Sequence, residues 1–180
     1  MQQRLTIKPV SEDDLDIVLE IQSRAYYDPF IIHESKAVFS EKLRLFPRGC
    51  WIAYLDESPV GYLFSHPWSQ NLFVELDAPL GTLPNSPDCL YIHDLSVDPN
   101  FQGSGIGKQM VAKAKTLALE LQFTKLVLVS VQNSTEFWTK FGFERVKKLS
   151  DEMAIKLRSY GSSACLMAAT IWESDGGGEN

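Results

Sequence analysis

The stretch Gln102-Gly103-Ser104-Gly105-Ile106-Gly107 has the residue types and the spacing of a loop that binds an anion. It lies between a predicted strand, Cys89–Val97, and an amphipathic helical pattern that starts at Gly105. The N–H groups of a first helical turn have no partner within the helix, and the aligned peptide dipoles place partial positive charge there. Because glycine lets a bound group approach the backbone closely, the stretch predicts a phosphate site.

Two nucleotide fingerprints do not fit this loop. A dinucleotide-binding loop needs a third glycine after Gly103 and Gly105, and Lys108 stands at that position. A P-loop needs glycine at position 102 and serine or threonine at position 109, and both positions are glutamine. A nucleotide-binding module is therefore a minor alternative, and a tight turn without a ligand is the other one.

The pattern that does fit is Gln/Arg-x-x-Gly-x-Gly, through Gln102, Gly105 and Gly107. Here the chain resembles the acetyl-CoA loop of the GNAT superfamily of N-acetyltransferases. The flanking segments occur in the family's order: Leu95-Ser96-Val97-Asp98-Pro99, a predicted strand over residues 125–131, Asn133, and Phe137-Trp138-Thr139-Lys140-Phe141-Gly142-Phe143. The coarse pattern of strands and helices extends the resemblance to nearly the whole chain.

The predicted element order is β-α-α-β-β-β-α-β-α-β-β, which gives a mixed α/β sheet with helices on both faces and resembles the GNAT-type acyl-CoA N-acyltransferase fold. Residues 1–172 form one domain in this prediction, and residues 173–180 a disordered tail. The predicted elements are a strand at 4–10, helices after Ser11 and at 34–46, a hairpin of 51–55 and 60–65, an irregular insertion at 66–88, the strand Cys89–Val97, a helix from Gly105, a strand at 125–131, a short helix from Ser134 to Gly142, strands at 143–147 and 164–171, and a single helical turn within the polar stretch 149–163.

The resemblance implies acetyl-CoA as cosubstrate. In the family the loop formed here by Gln102, Gly103, Ser104, Gly105, Ile106 and Gly107 holds the pyrophosphate, and Lys108 would add charge at its rim. The segment matched by Leu95, Ser96 and Val97 pairs with the pantetheine arm, and the backbone N–H of Leu95 would polarise the thioester carbonyl. Asn133 matches a residue that bonds the CoA arm, with a cap or turn residue as the alternative.

His93 is the candidate general base, because a primary amine with a pKa of about 10 must lose a proton before it attacks. Polyamine acetyltransferases of the superfamily have a Glu-Asp pair where this chain has His93-Asp94, and histidine titrates near neutrality. Neighbouring strand residues face opposite sides, so Asp94 would contact His93 only across a bulge. The alternative is a histidine bonded inside the sheet, and His33 and His66 are predicted to be surface or loop residues.

The chain departs from the family at Trp138, which stands where the family's tyrosine can protonate the departing thiolate. Indole nitrogen donates hydrogen bonds but is not a usable acid. Three interpretations stay open: a thiolate that leaves unassisted, a proton from water or from another hydroxyl such as that of Tyr26 or Tyr27, or lost catalysis, which would leave a CoA-binding or acyl-CoA-sensing protein. The aromatic segment 26–33 is either an acceptor-site loop or a lid on the core.

Composition narrows the remaining choices. A net charge of −6 argues against nucleic-acid binding, and no apolar run approaches the length that spans a bilayer. The three cysteines are predicted to be reduced core residues of a cytoplasmic protein without a metal site. From Gly49 to Gly107 the chain has no lysine or arginine but seven acids: Asp56, Glu57, Glu75, Asp77, Asp88, Asp94 and Asp98. Because a cleft lined by negative charge attracts cations, we hypothesise that the acceptor is a cationic amine. The oligomeric state is open, with a homodimer as one option.

Overall fold

A mixed sheet of seven strands forms the framework of the molecule, in the order β1-β2-β3-β4-β5-β7-β6. The structure is a computed structural model that describes residues 4–26, 32–72 and 74–172. Neighbouring strands run antiparallel except β4 and β5, which are parallel. The strands are β1 Leu5–Pro9, β2 Cys50–Leu55, β3 Ser58–Trp68, β4 Cys89–Val97, β5 Lys125–Ser130, β6 Glu144–Arg145 and β7 Cys165–Thr170; the helices are α1 Leu15–Ala25, α2 Lys36–Leu45, α3 Ile106–Glu120, α4 Thr135–Thr139 and α5 Asp151–Leu157.

The predicted start of the first helical segment is confirmed. Ser11 and Asp14 form a capping box, in which the Ser11 N–H donates to Asp14 Oδ2 over 2.8 Å. A single 3-10 turn, Glu12–Asp14, leads into α1, whose Leu15, Val18 and Ile21 are buried at helical spacing. This stripe packs α1 against the sheet.

Helices cover both faces of the sheet, as predicted. Side chains of successive strand residues alternate between two apolar clusters: Ile52 and Tyr62 pack with α1 and α2, whereas Ala53 and Leu63 pack with α3 and α4. The larger cluster, under α3, includes Ile106, Met110 and Ala114. The sheet thus lies between the cluster under α1 and α2 and the cluster under α3.

Several predictions about single elements are wrong. The polar stretch before the last strand holds α5 and a further 3-10 turn rather than one helical turn, which adds a helix to the predicted order. Strand β6 has two residues, and β3 continues to Trp68, so the irregular insertion begins only after it. His66 is a buried residue of β3 rather than a loop residue, whereas His33 is exposed, as predicted. Most of segment 26–33 and the whole tail 173–180 lie outside the described residues.

Candidate active site

Strands β4 and β5 pair over only three residues and then part. The parallel ladder joins Leu90, Tyr91 and Ile92 to β5 and stops, although β4 continues to Val97 and β5 to Ser130. Beyond Ile92, β4 is hydrogen-bonded on its β3 edge alone. The two strands therefore leave a gap with one open edge of β4 along its side.

The register with β3 shows which main-chain groups face this gap. The Asp98 N–H donates to the Val60 carbonyl, so Asp98 belongs to a hydrogen-bonded pair on the β3 edge. In an antiparallel ladder such pairs alternate along the strand. Ser96 therefore also faces β3, and the N–H and carbonyl groups of Leu95 and Val97 face the gap.

The gap leads to the N-terminus of α3. Gly103 and Gly105 have φ values of 82° and 86°, and Gly105 is the residue before the first helical turn. No described atom lies within 4 Å of where a side chain would start at either glycine, so the space beside this backbone is free. The unpaired N–H groups of Ile106, Gly107 and Lys108 in the first turn are thus available to an anion.

Gly107 has a different role from its neighbours. It adopts helical backbone geometry, and a Cβ there would lie 3.0 Å from the ring of Phe137. This glycine lets α4 pack closely against α3. Its contribution to the loop is structural, in addition to any contact of its N–H group with a ligand.

A β-bulge places His93 at the end of the paired part of β4. Asp94 pairs with Phe64 and Ile92 with Ser65, so His93 is an extra residue between them. The bulge turns the side chains of His93 and Asp94 toward the same face, that of α1 and α2. The side chain of His93 is 2% exposed although the residue as a whole is half-buried, so its exposed part is main chain.

His93 contacts Glu34 rather than Asp94. Its Nε2 lies 2.9 Å from Glu34 Oε1, and among the described residues its buried Nδ1 has no hydrogen-bond partner. Glu34 also pairs with the buried Lys42, whose Nζ lies 2.9 Å from Oε2. Burial alone raises the pKa of Glu34, but the charges and hydrogen bonds of His93 and Lys42 outweigh it and hold the pKa below its ordinary value.

Asp94 is held by hydroxyl groups on the same face. Tyr26 and Tyr62 donate to its two oxygens over 2.5 and 2.6 Å, and Ser96 donates over 3.2 Å. Burial and the nearby Asp94 charge raise the pKa of both tyrosines well above its ordinary value. The two hydroxyls are therefore weak acids, and both already donate their hydrogen to Asp94.

A small cavity of about 30 Å³ lies beside the gap on this face. Its walls include residues from β4 and from the end of β5, on both sides of the point where the strands part. It combines two carboxylates and a histidine with apolar side chains, and it is lined by Gln22, Tyr26, Ile32, Glu34, Leu76, His93, Asp94, Val129, Val131 and Tyr160. This cavity is the candidate acceptor site.

Three other predicted site residues differ in how far they are exposed to solvent. Asn133 is exposed, with a φ of 58°, in the turn that follows β5, and Lys108 is exposed on the first turn of α3. Trp138 is 6% exposed in the core under α3, against the rings of Phe137 and Phe143. Its described ring contacts are packing contacts, and the contact with the cofactor that the resemblance implies for Trp138 stays a prediction.

The seven acids of the Arg- and Lys-free span are not gathered at the cavity. Asp94 alone lines it, Asp98 is paired with Arg24 over 2.7 Å, and Glu75 with Lys156 over 3.6 Å. Asp56 lies in the β2–β3 turn, where it accepts from the Arg4 N–H at the sheet edge. Asp94 is thus the acid of this span that lines the cavity, and the cationic acceptor stays a hypothesis.

Glu34 is the residue that sequence reasoning missed. The sequence pattern places it only as the first residue of a helix, whereas in the structure it precedes α2 and contacts His93. A signal was present in Lys42, which stands within the apolar stripe of that helix. Since a lysine on a buried face needs a counter-ion, an acid near the start of α2 could have been sought.

No helix of residues 4–26, 32–72 and 74–172 is both long and apolar enough to cross a membrane. Within the same residues, no group of three or more potential ligands from histidine, cysteine and acids is placed to hold a metal ion. The cysteines Cys50, Cys89 and Cys165 are free thiols buried in the core.

Known proteins share this sequence pattern and this fold. The model of the acetyltransferase (GNAT) family matches residues 15–143. An uncharacterised N-acetyltransferase of Methanocaldococcus jannaschii is 28% identical in an alignment of 148 positions that covers 77% of this chain and 60% of that protein. The chain therefore spans less than two thirds of that relative.

Two solved structures have the same fold. Ard1 from Thermoplasma volcanium superposes with a TM-score of 0.71 at 18% identity, over 94% of this chain and 99% of its own. The GNAT-like decarboxylase GphF, in complex with isobutyryl-CoA, superposes with a TM-score of 0.73 at 16% identity, over 92% and 98% of the two chains. These likenesses show the fold, and the family match over residues 15–143 establishes that the chain belongs to the GNAT acetyltransferase family.

Proposed function

We propose that this protein transfers an acetyl group from acetyl-CoA to a primary amine by direct attack in a ternary complex. The observation that carries the proposal is the gap between β4 and β5, where an open edge of β4 ends at the free N-terminus of α3. One continuous surface can thereby hold both the arm and the phosphates of a CoA thioester. The family membership agrees with this activity.

The donor binds by main-chain contacts in this proposal. The pantetheine arm lies along the open edge of β4 as an added strand, opposite Leu95 and Val97. The pyrophosphate accepts from the first N–H groups of α3, with Gly103 and Gly105 giving it room and Gln102 and Ser104 at the rim. The Leu95 N–H donates to the thioester carbonyl oxygen and stabilises the negative charge that develops there.

The acceptor amine approaches from the opposite side of the sheet, through the cavity beside His93. An ammonium group first gives one proton to the imidazole, and the nitrogen lone pair then forms a bond with the carbonyl carbon. The C–S bond breaks, and its electron pair leaves with the sulfur. The second proton of the nitrogen passes to the sulfur, and the imidazolium returns the first to solvent, so acetylated amine, CoA and one proton result.

The thiolate leaves without a dedicated acid in this account. Trp138 lies in the core, Tyr26 and Tyr62 donate to Asp94, and Tyr160 donates to the Val74 carbonyl. Burial raises the pKa of all three tyrosines. A thiol with a pKa of about 8.5 is a good enough leaving group to depart unassisted at some cost in rate.

A thiol-release assay with acetyl-CoA and a panel of primary amines tests this function. Thiol release that requires an amine, together with acetylated amine identified by mass spectrometry, is the expected result. CoA binding without thiol release for any amine would instead support an acyl-CoA-sensing protein. Binding of ATP or NAD without CoA binding would support the nucleotide alternative.

A further inference from the structure

We propose that Glu34 is a positioning residue for His93, holding Nε2 so that Nδ1 is the nitrogen that takes the proton of the acceptor amine. This inference rests on the proposed acetyl transfer. It assigns a role to a side chain that lies outside the cofactor loop and far from His93 in sequence. Four features of the structure carry it.

The first feature is the polarity of the contact. A carboxylate oxygen can only accept, so the 2.9 Å contact between Glu34 Oε1 and His93 Nε2 requires the hydrogen on Nε2. The neutral imidazole then has its lone pair on Nδ1. A carboxylate that fixes the tautomer of a histidine base in this way leaves the other nitrogen ready to accept a proton.

The second feature is that Nδ1 lacks a partner. It is buried without a hydrogen bond from any described residue, and the ring lines the cavity beside the gap. Nδ1 is also the ring nitrogen nearer the main chain, which at the bulge borders the open edge of β4. Among the described residues, His66 Nε2 and the Trp68 indole nitrogen are also buried without a partner, but of these three side chains only His93 lines the cavity, where a ligand could supply the missing hydrogen bond.

The third feature is that Glu34 forms four further hydrogen bonds with three other residues. The Gln22 side chain donates to its carbonyl over 2.9 Å and accepts from its N–H over 2.8 Å. Lys42 binds Oε2, and the Asp77 N–H donates to Oε1 over 3.1 Å. Such a support fixes the carboxylate more firmly than a surface ion pair would.

The fourth feature is the charge balance around the imidazole. His66 is neutral, because burial and the neighbouring His93 lower its pKa to about 3. Lys42 pairs with Glu34 and partly neutralises its charge, so these two residues carry the charges beside the imidazole. The groups that face His93 are Glu34 and Lys42 from the α2 region, Tyr26 after α1, His66 on β3, Tyr91 and Asp94 on β4, and Tyr160 before β7.

Two variants at Glu34 and Lys42 are expected to move the pH profile of kcat/KM in opposite directions. Lys42→Met leaves the carboxylate uncompensated, which favours the protonated imidazole and moves the ascending limb of kcat/KM to higher pH. Glu34→Gln combined with Lys42→Met removes both charges, which moves the limb to lower pH and lowers kcat by about 10-fold or more relative to Lys42→Met. The affinity for CoA is expected to stay the same in both variants. Glu41→Gln on α2 is the matched control, because the Glu41 carboxylate binds the N–H groups of Leu80 and Gly81 rather than His93, and its ascending limb should not move.

Nitrogen-15 NMR of the ligand-free protein checks the tautomers without any turnover. His93 is expected to carry its hydrogen on Nε2, whereas His66 should carry it on Nδ1, which lies 3.3 Å from the Pro67 carbonyl. The two buried histidines thus serve as references for each other. Only three histidines occur in the chain, so single substitutions assign the signals.

The outcomes separate this inference from the proposed function. An Nδ1–H tautomer at His93, or limbs that move in the same direction in both variants, would overturn the role of Glu34 while acetyl transfer still stood. Absence of turnover for every amine would overturn the catalytic assignment together with the proposed function. If the double variant does not fold, the Lys42→Met profile and the tautomer of the wild type decide the matter.

Discussion

The two sides of the gap between β4 and β5 are built from different groups. On the α3 side the site consists of exposed main-chain N–H groups, at Leu95, Val97 and the first turn of α3, beside glycines with free space around them. On the α1 and α2 side it consists of buried side chains: Glu34 binds His93, and Asp94 accepts hydrogen bonds from tyrosine hydroxyls. Main-chain groups at a helix end suit a constant cofactor, whereas paired side chains suit control of a proton.

The largest effect is expected on the side-chain face. His93→Ala removes the proposed base and should lower kcat/KM by about 10²- to 10⁴-fold while leaving the Kd of CoA within about 2-fold. Steady-state kinetics and calorimetry of CoA binding measure the two quantities. A folded variant with wild-type activity would return His93 to a structural role inside the sheet.

The next effect is expected on the main-chain face. Gly105→Val adds a side chain beside the helix N-terminus and should raise the Kd of CoA by about 10-fold or more, which is about 1.4 kcal/mol. Because φ is 86°, the variant also loses about 1–3 kcal/mol of stability to backbone strain. Gly142→Val is the matched control, since Gly142 has a φ of 85° and equally free space but lies outside the loop; equal loss of affinity in both variants would contradict the phosphate site.

The buried side should also make stability depend on pH. The folded pKa of His66, about 3, lies below its ordinary value of 6.5, so its contribution to stability is complete above pH 6.5 and is lost as the pH falls toward 3. In that window the free energy of unfolding should fall by up to about 1.4 kcal/mol per pH unit from this residue alone. His66→Phe keeps a ring against Trp68 and Tyr91, and chemical denaturation should show a shallower slope; an unchanged slope would contradict the buried neutral state.

A small effect is expected at Trp138, in the core under α3. Trp138→Tyr removes ring volume from the core under α3 and should lower the free energy of unfolding by about 1–3 kcal/mol, with little change in kcat. Thermal unfolding measures the change in stability, and the thiol-release assay measures kcat. A large rise in kcat would show that the new hydroxyl reaches the sulfur and that departure of the thiolate limits the rate.

The smallest effect is expected from salt. The carboxylates in the cavity are already paired with Lys42, His93 and hydroxyl groups, so they attract a cationic amine only weakly. The KM for such amines should rise by less than about threefold between low and physiological ionic strength. A steep rise of this KM with ionic strength would support the hypothesis of an acidic acceptor cleft.

The sequence predicted one side of the gap better than the other. The glycine loop, the central strand and the helix after them follow from local patterns, because turn geometry and helical periodicity involve neighbouring residues. The bulge at His93 and the contact with Glu34 depend on how β3 and the segment before α2 meet β4, and no local pattern specifies that. Helix α5 was missed because its face is mostly exposed and gives only a weak apolar stripe.

A structure with bound acetyl-CoA tests the central claim most directly. The account predicts the pantetheine arm between β4 and β5, the thioester carbonyl oxygen about 2.7–3.1 Å from the Leu95 N–H, and the pyrophosphate at the first turn of α3. The acetyl group should face the cavity that His93 lines. Acetyl-CoA bound outside the gap, or an acetyl group turned toward α3 and away from His93, would contradict it.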